Sequence, residues 1–415
     1  MAGPIRVLFF DHTAELGGGE IALADLIRHL DRARVEPIVV LGSEGPLEER
    51  IRGFAPVHVM PIDSAVVGAP KDALGLAMLF QLAAARAAIR YVFRLRRLLN
   101  EQDIEVLHTN SLKAFVLGGI AGRLQGVKVI WHVRDRIADD YLPPRVVWVM
   151  RHLAKILPHF VIANSGATLE TVQLKDKPPA MVIGSGVDLS KFSPSGSSEA
   201  SSDERNTARP KIAGLVGRIC PWKGQHIFIE AAALVHARWP NVRFQIIGAA
   251  LFREHDYELE LRRTVEQQRL ERVVEFTGFQ SDVARAISGL DILVHASTVG
   301  EPFGQVIVQG MACELPVIAT NGGGVPEIVQ DGVTGLLVPM GDAPAMADAI
   351  CRLLEDTSSA RNMGVQGRKR AVEHFTIERS TQKLMDACER VIGRGYASTQ
   401  DQTATRVSKP SPLER

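Results

Sequence analysis

Short apolar runs recur along the chain, each closed by a polar or glycine-rich turn and followed by a stretch with helical spacing. IRVLFF (5–10), PIVVLG (37–42), IEVLHTN (104–110), VKVIWHV (127–133) and FVIAN (160–164) read as strands, and residues 20–30 as the first helix. Successive rather than alternate positions are apolar, so both faces of each strand must be covered, as in a parallel sheet flanked by helices. The alternation restarts at KIAGLVGRI (211–219). It continues through a helix at 225–238, VRFQIIG (242–248), a helix at 257–268, VVEFTG (273–278), DILVHAS (291–297), PVIAT (316–320) and GLLVP (335–339). The pattern predicts an α/β chain of two doubly wound domains with a cleft between them.

The interruptions set the boundaries. Residues 1–192 form a first domain. Residues 193–210, which contain SPSGSSEASSDERNTAR, carry Ser and charge without an apolar period and read as a flexible linker. A second domain follows over 211–376. The helical pattern over 377–394 has no partner strand and is expected to cross back to the first domain, and 395–415 reads as a disordered polar tail.

Composition narrows the picture. A chain of 415 residues with 46% apolar and 23% charged side chains can fill two cores, and a net charge of +1 argues against a nucleic-acid binder. Cys220, Cys313, Cys351 and Cys388 lie far apart, which suggests buried filler and neither a zinc site nor a disulfide framework. The start of the chain has no leader pattern, and the longest charge-free apolar stretch, 73–85, is too short to span a bilayer, so a cytoplasmic location is expected. Two basic amphipathic stretches, 74–99 (with Arg86, Arg90, Arg94, Arg96 and Arg97) and 143–157, leave two readings open. They are peripheral contacts with the inner face of a membrane, or sheet-covering helices with a solvated basic edge.

Chemistry is expected at the carboxyl ends of the strands, where parallel α/β sheets bind ligands. GGGE (17–20) opens a helix, so its backbone N–H groups can face an anion. GGGEIA also fits a dinucleotide-type G-x-G-x-x-A, but it lies six residues past its strand, and no acid ends the second strand at Gly42. GRICPWKG (217–224) puts Arg218 and Lys223 at another helix start, where two cations suit a diphosphate. EPFGQVIVQ presents Glu301 at a turn and carries Gln309 two helical turns on, and NGGGVPEIV (321–329) follows the next strand. His132 precedes Arg134 and Asp135 at a strand end, and Asn110 and Ser111 occupy a similar position.

In this order, GGGE, GRICPWKG, VEFTGF, EPFGQVIVQGMA and GGGVPEIV resemble the motif set of the retaining GT-B glycosyltransferases of family 4, over roughly residues 5–394. The resemblance implies two Rossmann-like domains with a nucleoside-diphosphate sugar held in the cleft, mostly by the second. Arg218 and Lys223 would grip the diphosphate, and Glu301 would hold the sugar hydroxyls. Gly18 and Gly19 would lie beside the phosphates. Thr277, Gly278, Phe303, Gly304, Gly322 and Gly323 would complete the donor pocket, and His132 would stand near the reacting sugar. The family's second Glu, which binds the ribose, is Gln309 here, so one charge-assisted bond is replaced by a neutral one. A saccharide or lipid-linked saccharide acceptor would meet Asn110, Ser111 and Arg134. No cofactor is implied, and since no D-x-D occurs in the chain, no metal is expected. Two other classes fit part of the pattern: a nucleotide-sugar binder without turnover, and an NAD-dependent oxidoreductase.

Overall fold

The computed structural model describes residues 3–63, 77–175, 177–194, 209–250 and 254–394. The first domain runs β1 (Ile5–Asp11), α1 (Gly18–Arg28), β2 (Val35–Leu41), α2 (Pro46–Arg52), β3 (Val57–Val59), α3 (Ala77–Glu101), β4 (Val106–Thr109), α4 (Leu112–Gln125), β5 (Lys128–Val133), α5 (Pro144–Leu153), β6 (Phe160–Ala163), α6 (Gly166–Val172) and β7 (Ala180–Val182). Its sheet is parallel in the order β3-β2-β1-β4-β5-β6-β7.

The second domain runs β8 (Ile212–Val216), α7 (Gln225–Arg238), β9 (Arg243–Ile247), α8 (His255–Gln267), β10 (Val274–Gly278), α9 (Val283–Ser288), β11 (Ile292–His295), α10 (Gln305–Ala312), β12 (Val317–Thr320), α11 (Val325–Ile328), β13 (Leu336–Val338), α12 (Ala343–Glu355) and α13 (Thr357–His374). Its parallel order is β10-β9-β8-β11-β12-β13. In both sheets the strand order reverses beside the first strand, between β1 and β4 and between β8 and β11. The helices on either side of each reversal leave to opposite faces and open a crevice at the carboxyl ends.

The continuous apolar strands are explained by this double cover. In β1, Leu8 and Phe10 face the core under α3 and α4, whereas Val7 and Phe9 face the one under α1. A final helix, α14 (Ile377–Ile392), is capped by Thr376, whose Oγ1 accepts the Arg379 N–H at 3.3 Å. Its Ile377, Leu384, Met385 and Cys388 are buried in the same core as Ile5, Val7 and Phe9, so the last helix belongs physically to the first domain. Arg34 fixes it from outside through Asp386 and Glu389, each 2.8 Å away.

The sequence reading missed β3 and β7, three-residue strands at opposite edges of the first sheet, too short to show a periodic signal. All four cysteines are buried and free. The linker core at 195–208, the tail 395–415 and the start of the 74–99 stretch lie outside the described residues. No helix among the described residues is long and apolar enough to cross a membrane.

Candidate active site

The second domain supplies the better-defined half of the site. From β8 the chain turns through Arg218 and a short 3-10 turn at Pro221–Lys223 before entering α7 at Gln225. The joint is Gly224, with φ +72°, where a side chain would collide with the Ala296 carbonyl just past β11. Thr298 N–H donates to the Trp222 carbonyl at 2.9 Å, which ties the turn to the strand end. Lys223 is thereby held over Glu301, and its Nζ donates to Oε1 at 3.0 Å and to Oε2 at 2.8 Å. Ser297 Oγ donates to the same Oε2 at 2.8 Å, and His295 Nε2 lies 3.2 Å from it. Glu301 is only 8% exposed. Burial by itself would raise its carboxyl, but the Lys223 ammonium and the His295 contact outweigh it and hold Glu301 ionised well below the usual carboxylate range.

The glycine run after β12 acts on the Glu301 backbone. Gly324 N–H donates to the Glu301 carbonyl at 2.8 Å. Gly323 sits at φ +62°, where an added Cβ would strike that same carbonyl. Gly322 packs against Met340. Gly304, at φ +107°, caps α10, and Gln309 is half-buried one helix turn further along. Five of the proposed donor residues sit differently from the simplest expectation. Arg218 and Lys223 do not share one protein carboxylate: Lys223 Nζ is 2.8 Å from Glu301, whereas Arg218 Nε is 3.5 Å from Glu254. The Phe303 ring is buried against Phe375, with ring centroids 6.0 Å apart, so it belongs to the core. Thr277 and Gly278 end the edge strand β10, with β9 between them and β8.

In the first domain the strand ends carry a buried polar chain. Asn110 Nδ2 donates to Asp11 Oδ2 at 2.7 Å, and Arg134 Nε donates to Asn110 Oδ1 at 2.6 Å. Ser111 Oγ lies 2.7 Å from His12 Nδ1. Gly19 is placed where a side chain would press on Arg134, and its carbonyl accepts from Asn110 at 3.3 Å. Gly18 begins α1 beside it. The acid nearest this turn is the protein's own: the Glu20 carboxyl folds back against Gly17. Burial, then Asp11, pushes Glu20 up to about 7. His132 is 1% exposed, and its Nδ1 lies 3.1 Å from His108 Nε2. Burial, then Arg134, drives it well below its ordinary value, so it is neutral. It therefore sits under the cleft floor and not on its surface, and its Nε2 has no partner among the described residues.

Residues whose partners the sequence did not reveal join the two halves. Glu327 accepts the Gly166 N–H at 2.9 Å and the Ala167 N–H at 2.8 Å, so a second-domain carboxylate caps a first-domain helix, α6. Ser165 Oγ and Thr168 Oγ1 donate to the Pro302 carbonyl at 2.6 and 2.9 Å. Arg136 Nη1 donates to the Gly300 carbonyl at 3.4 Å. The turn that carries Glu301 is thus gripped on both sides by the first domain. Tyr141 donates to Asp135 at 3.0 Å, and its phenol is raised by burial, by Asp135 and by Glu301 across the cleft. Asp11, His295 and Ser297 could have been suspected from their places at strand ends; nothing in the local sequence marks Ser165 or Glu327 as partners.

Comparison with known proteins agrees with this geometry. Residues 197–370 match the model of the family described as Glycosyl transferases group 1, and residues 16–191 match Glycosyltransferase Family 4. The Bacillus subtilis protein named "Putative glycosyltransferase EpsD" is 35% identical over 164 residues, which span 40% of this chain and 41% of that protein. The chain thus covers less than half the length of that relative. A GDP-mannose-dependent alpha-mannosyltransferase of Mycobacterium tuberculosis is 26% identical over 365 residues, 82% of this chain and 85% of that protein. The crystal structure of Anabaena HepE in complex with UDP-glucose superposes with a TM-score of 0.78 at 27% identity, covering 93% of this chain and all of that one. Two parallel sheets, a cleft lined at their strand ends and two family models spanning both halves define a GT-B glycosyltransferase fold. The chain belongs to the group 1 glycosyltransferases.

Proposed function

We propose that this protein transfers a hexose from a nucleoside-diphosphate sugar to a saccharide or lipid-linked saccharide, with retention at the anomeric carbon and without a metal ion. The observation that carries the reading is the buried cluster of Glu301, Lys223, Ser297 and His295 at the switch point of the second sheet. An ionised carboxylate there accepts sugar hydroxyls, and the neighbouring ammonium takes the diphosphate. These two groups pair with each other in the structure, and donor binding exchanges that ion pair for hydroxyls on Glu301 and phosphate on Lys223.

The bond from the anomeric carbon to the diphosphate oxygen breaks, and negative charge grows on the departing nucleotide. Lys223, Arg218 and the N-terminus of α7 stabilise that charge. An acceptor hydroxyl attacks from the same face and passes its proton to the departing phosphate oxygen. Gly322 and Gly323 let the backbone approach the donor, Gln309 binds the ribose as a neutral partner, and Thr277 and Gly278 close the pocket at its edge. On the other wall, Asn110, Ser111 and Arg134 position the acceptor. His132, neutral and buried beneath the cleft floor, steadies Arg134 from below, its Nδ1 3.5 Å from Arg134 Nη2.

A second reading, donor binding without turnover, is favoured only by Gln309 in place of the expected carboxylate. The test is thermal stabilisation by UDP, GDP, ADP, UDP-glucose, GDP-mannose and NAD with EDTA present, followed by a donor-consumption assay. One nucleoside diphosphate and its sugar conjugate should stabilise the protein, by about 2.7 kcal/mol at a hundred times Kd, and Arg218→Ala should abolish the effect. Stabilisation by NAD alone overturns the reading; binding with no donor consumed under any acceptor selects the second.

A further inference from the structure

The outer layer of the first domain carries a surface that the transfer reaction does not use. On α3, Ile89 and Phe93 stand one helical turn apart and are both 55% exposed. On α4, Leu124 is exposed, and beyond it Trp148 and Val149 of α5 and Ile156 just after α5 face solvent, Trp148 at 63% and Ile156 at 64%. These helices form one continuous layer. Arg96 Nε donates to Gln125 at 3.0 Å, joining α3 to α4, and Arg123 donates to the carbonyls of Ile156 and Leu157 at 2.7 and 2.8 Å, joining α4 to the end of α5. Their inner sides account for the ordinary packing: Tyr91, Leu95, Leu117, Val147 and Met150 are buried. The outer apolar side chains are therefore additional to those that cover the sheet.

Charge on the same layer is one-sided. Residues 77–101 hold five arginines, 112–125 hold Lys113 and Arg123, and 143–158 hold Arg145, Arg151 and Lys155. Glu101 is the one carboxylate in these three segments. The whole chain is almost balanced, with 48 basic and 47 acidic residues, so cations are concentrated here. Arg97 pairs with Glu101, and Arg90 lies 4.0 Å from Asp63, while both arginines remain largely exposed. Large exposed apolar side chains, an indole among them, set in a field of arginines fit a surface with an apolar interior and an anionic rim.

We propose that the outer face of α3, α4 and α5 docks on an anionic lipid bilayer, with Phe93, Trp148 and Ile156 inserted at the headgroup boundary and the arginines on the phosphates. The loop from Arg134 to Tyr141 leads from the cleft directly into α5, so docking would hold the acceptor side of the cleft next to the bilayer. The proposal does not depend on the reaction assigned above, and its test reads binding alone.

The experiment is flotation of the full chain with phosphatidylcholine vesicles, with and without phosphatidylglycerol, alongside quenching of tryptophan fluorescence by brominated lipid. The expected result is binding to the anionic vesicles and quenching that disappears in Trp148→Phe. Binding should be lost as salt rises from about 0.1 M to about 1 M, which shortens the screening length from about 10 to about 3 Å. Each of Arg90→Ala and Arg94→Ala should weaken partition about fivefold. Phe93→Asp and Trp148→Asp should abolish flotation while lowering the melting temperature by only a few degrees, because more than half of each residue already faces water. No flotation, equal flotation with pure phosphatidylcholine, or a dimer in light scattering that shields Trp148 would each overturn the proposal. So would displacement of the layer by a DNA duplex with no effect of the apolar variants.

Discussion

Glu20 offers a test of the first-domain half of the cleft that needs no substrate. Its carboxyl is folded against the α1 turn near Asp11, and burial followed by Asp11 pushes it up to about 7 from an ordinary value of 4.5. The folded state therefore holds a proton there that the unfolded chain releases. The sign follows from linkage: between about 4.5 and 7 the folded state binds more protons, so stability falls as pH rises through that window and is level above it. A shift of this size corresponds to about 3 kcal/mol at most, and partial exposure of Glu20 reduces it to about 2 kcal/mol. Glu20→Gln removes the titration and keeps the shape. The variant should exceed the parent by only about 0.5 kcal/mol at pH 5 and by about 2 kcal/mol at pH 8. For a domain of this size that is about 4–8 °C in melting temperature. Other titrating groups act alike in both proteins and cancel in the comparison. A gap between the two melting temperatures that is the same at pH 5 and pH 8 would refute the reasoning and would mean that Glu20 is ionised and solvated in the fold.

Two further outcomes follow from the second domain. Gly323→Ala should cost stability and also abolish stabilisation by nucleotide, because its Cβ would displace the Glu301 backbone. Gly332→Ala, at a similar φ of +73° but with nothing near its Cβ, should cost only about 1–2 kcal/mol of backbone strain and leave nucleotide binding intact. Equal loss of binding in the two variants would separate the glycine run from Glu301. Glu327→Gln keeps one oxygen for the N-terminus of α6 but loses the charge, worth about 1 kcal/mol at this exposed position. It should lower kcat about fivefold with the donor KM unchanged, since Glu327 ties the second domain to a first-domain helix; a proportional rise in donor KM with kcat intact would show that Glu327 acts on the donor pocket instead.

How much of this was legible beforehand depends on the range of each interaction. Eleven of the thirteen described strands and the helices at 225–238 and 377–392 could be read from the chain, because a strand buried on both faces has to be apolar at every position and a capped helix signals its own ends. Glycine marks such as those around 224 and 323 were equally visible, although which carbonyl each one approaches was not. The pairing of Lys223 with Glu301 joins positions 78 residues apart, and the pairing of Glu327 with Gly166 joins positions 161 apart, across two domains.

Sequence alone determined that this chain makes two covered parallel sheets with polar residues and glycines at their carboxyl ends, since hydrophobic period and turn chemistry are local properties. Tertiary structure alone decided which of those ends meet. It put His132 beneath the cleft and the Phe303 ring in the core. It turned Ile89, Phe93 and Trp148 outward. A side chain's burial depends on what the remote chain leaves uncovered, and no local pattern encodes that.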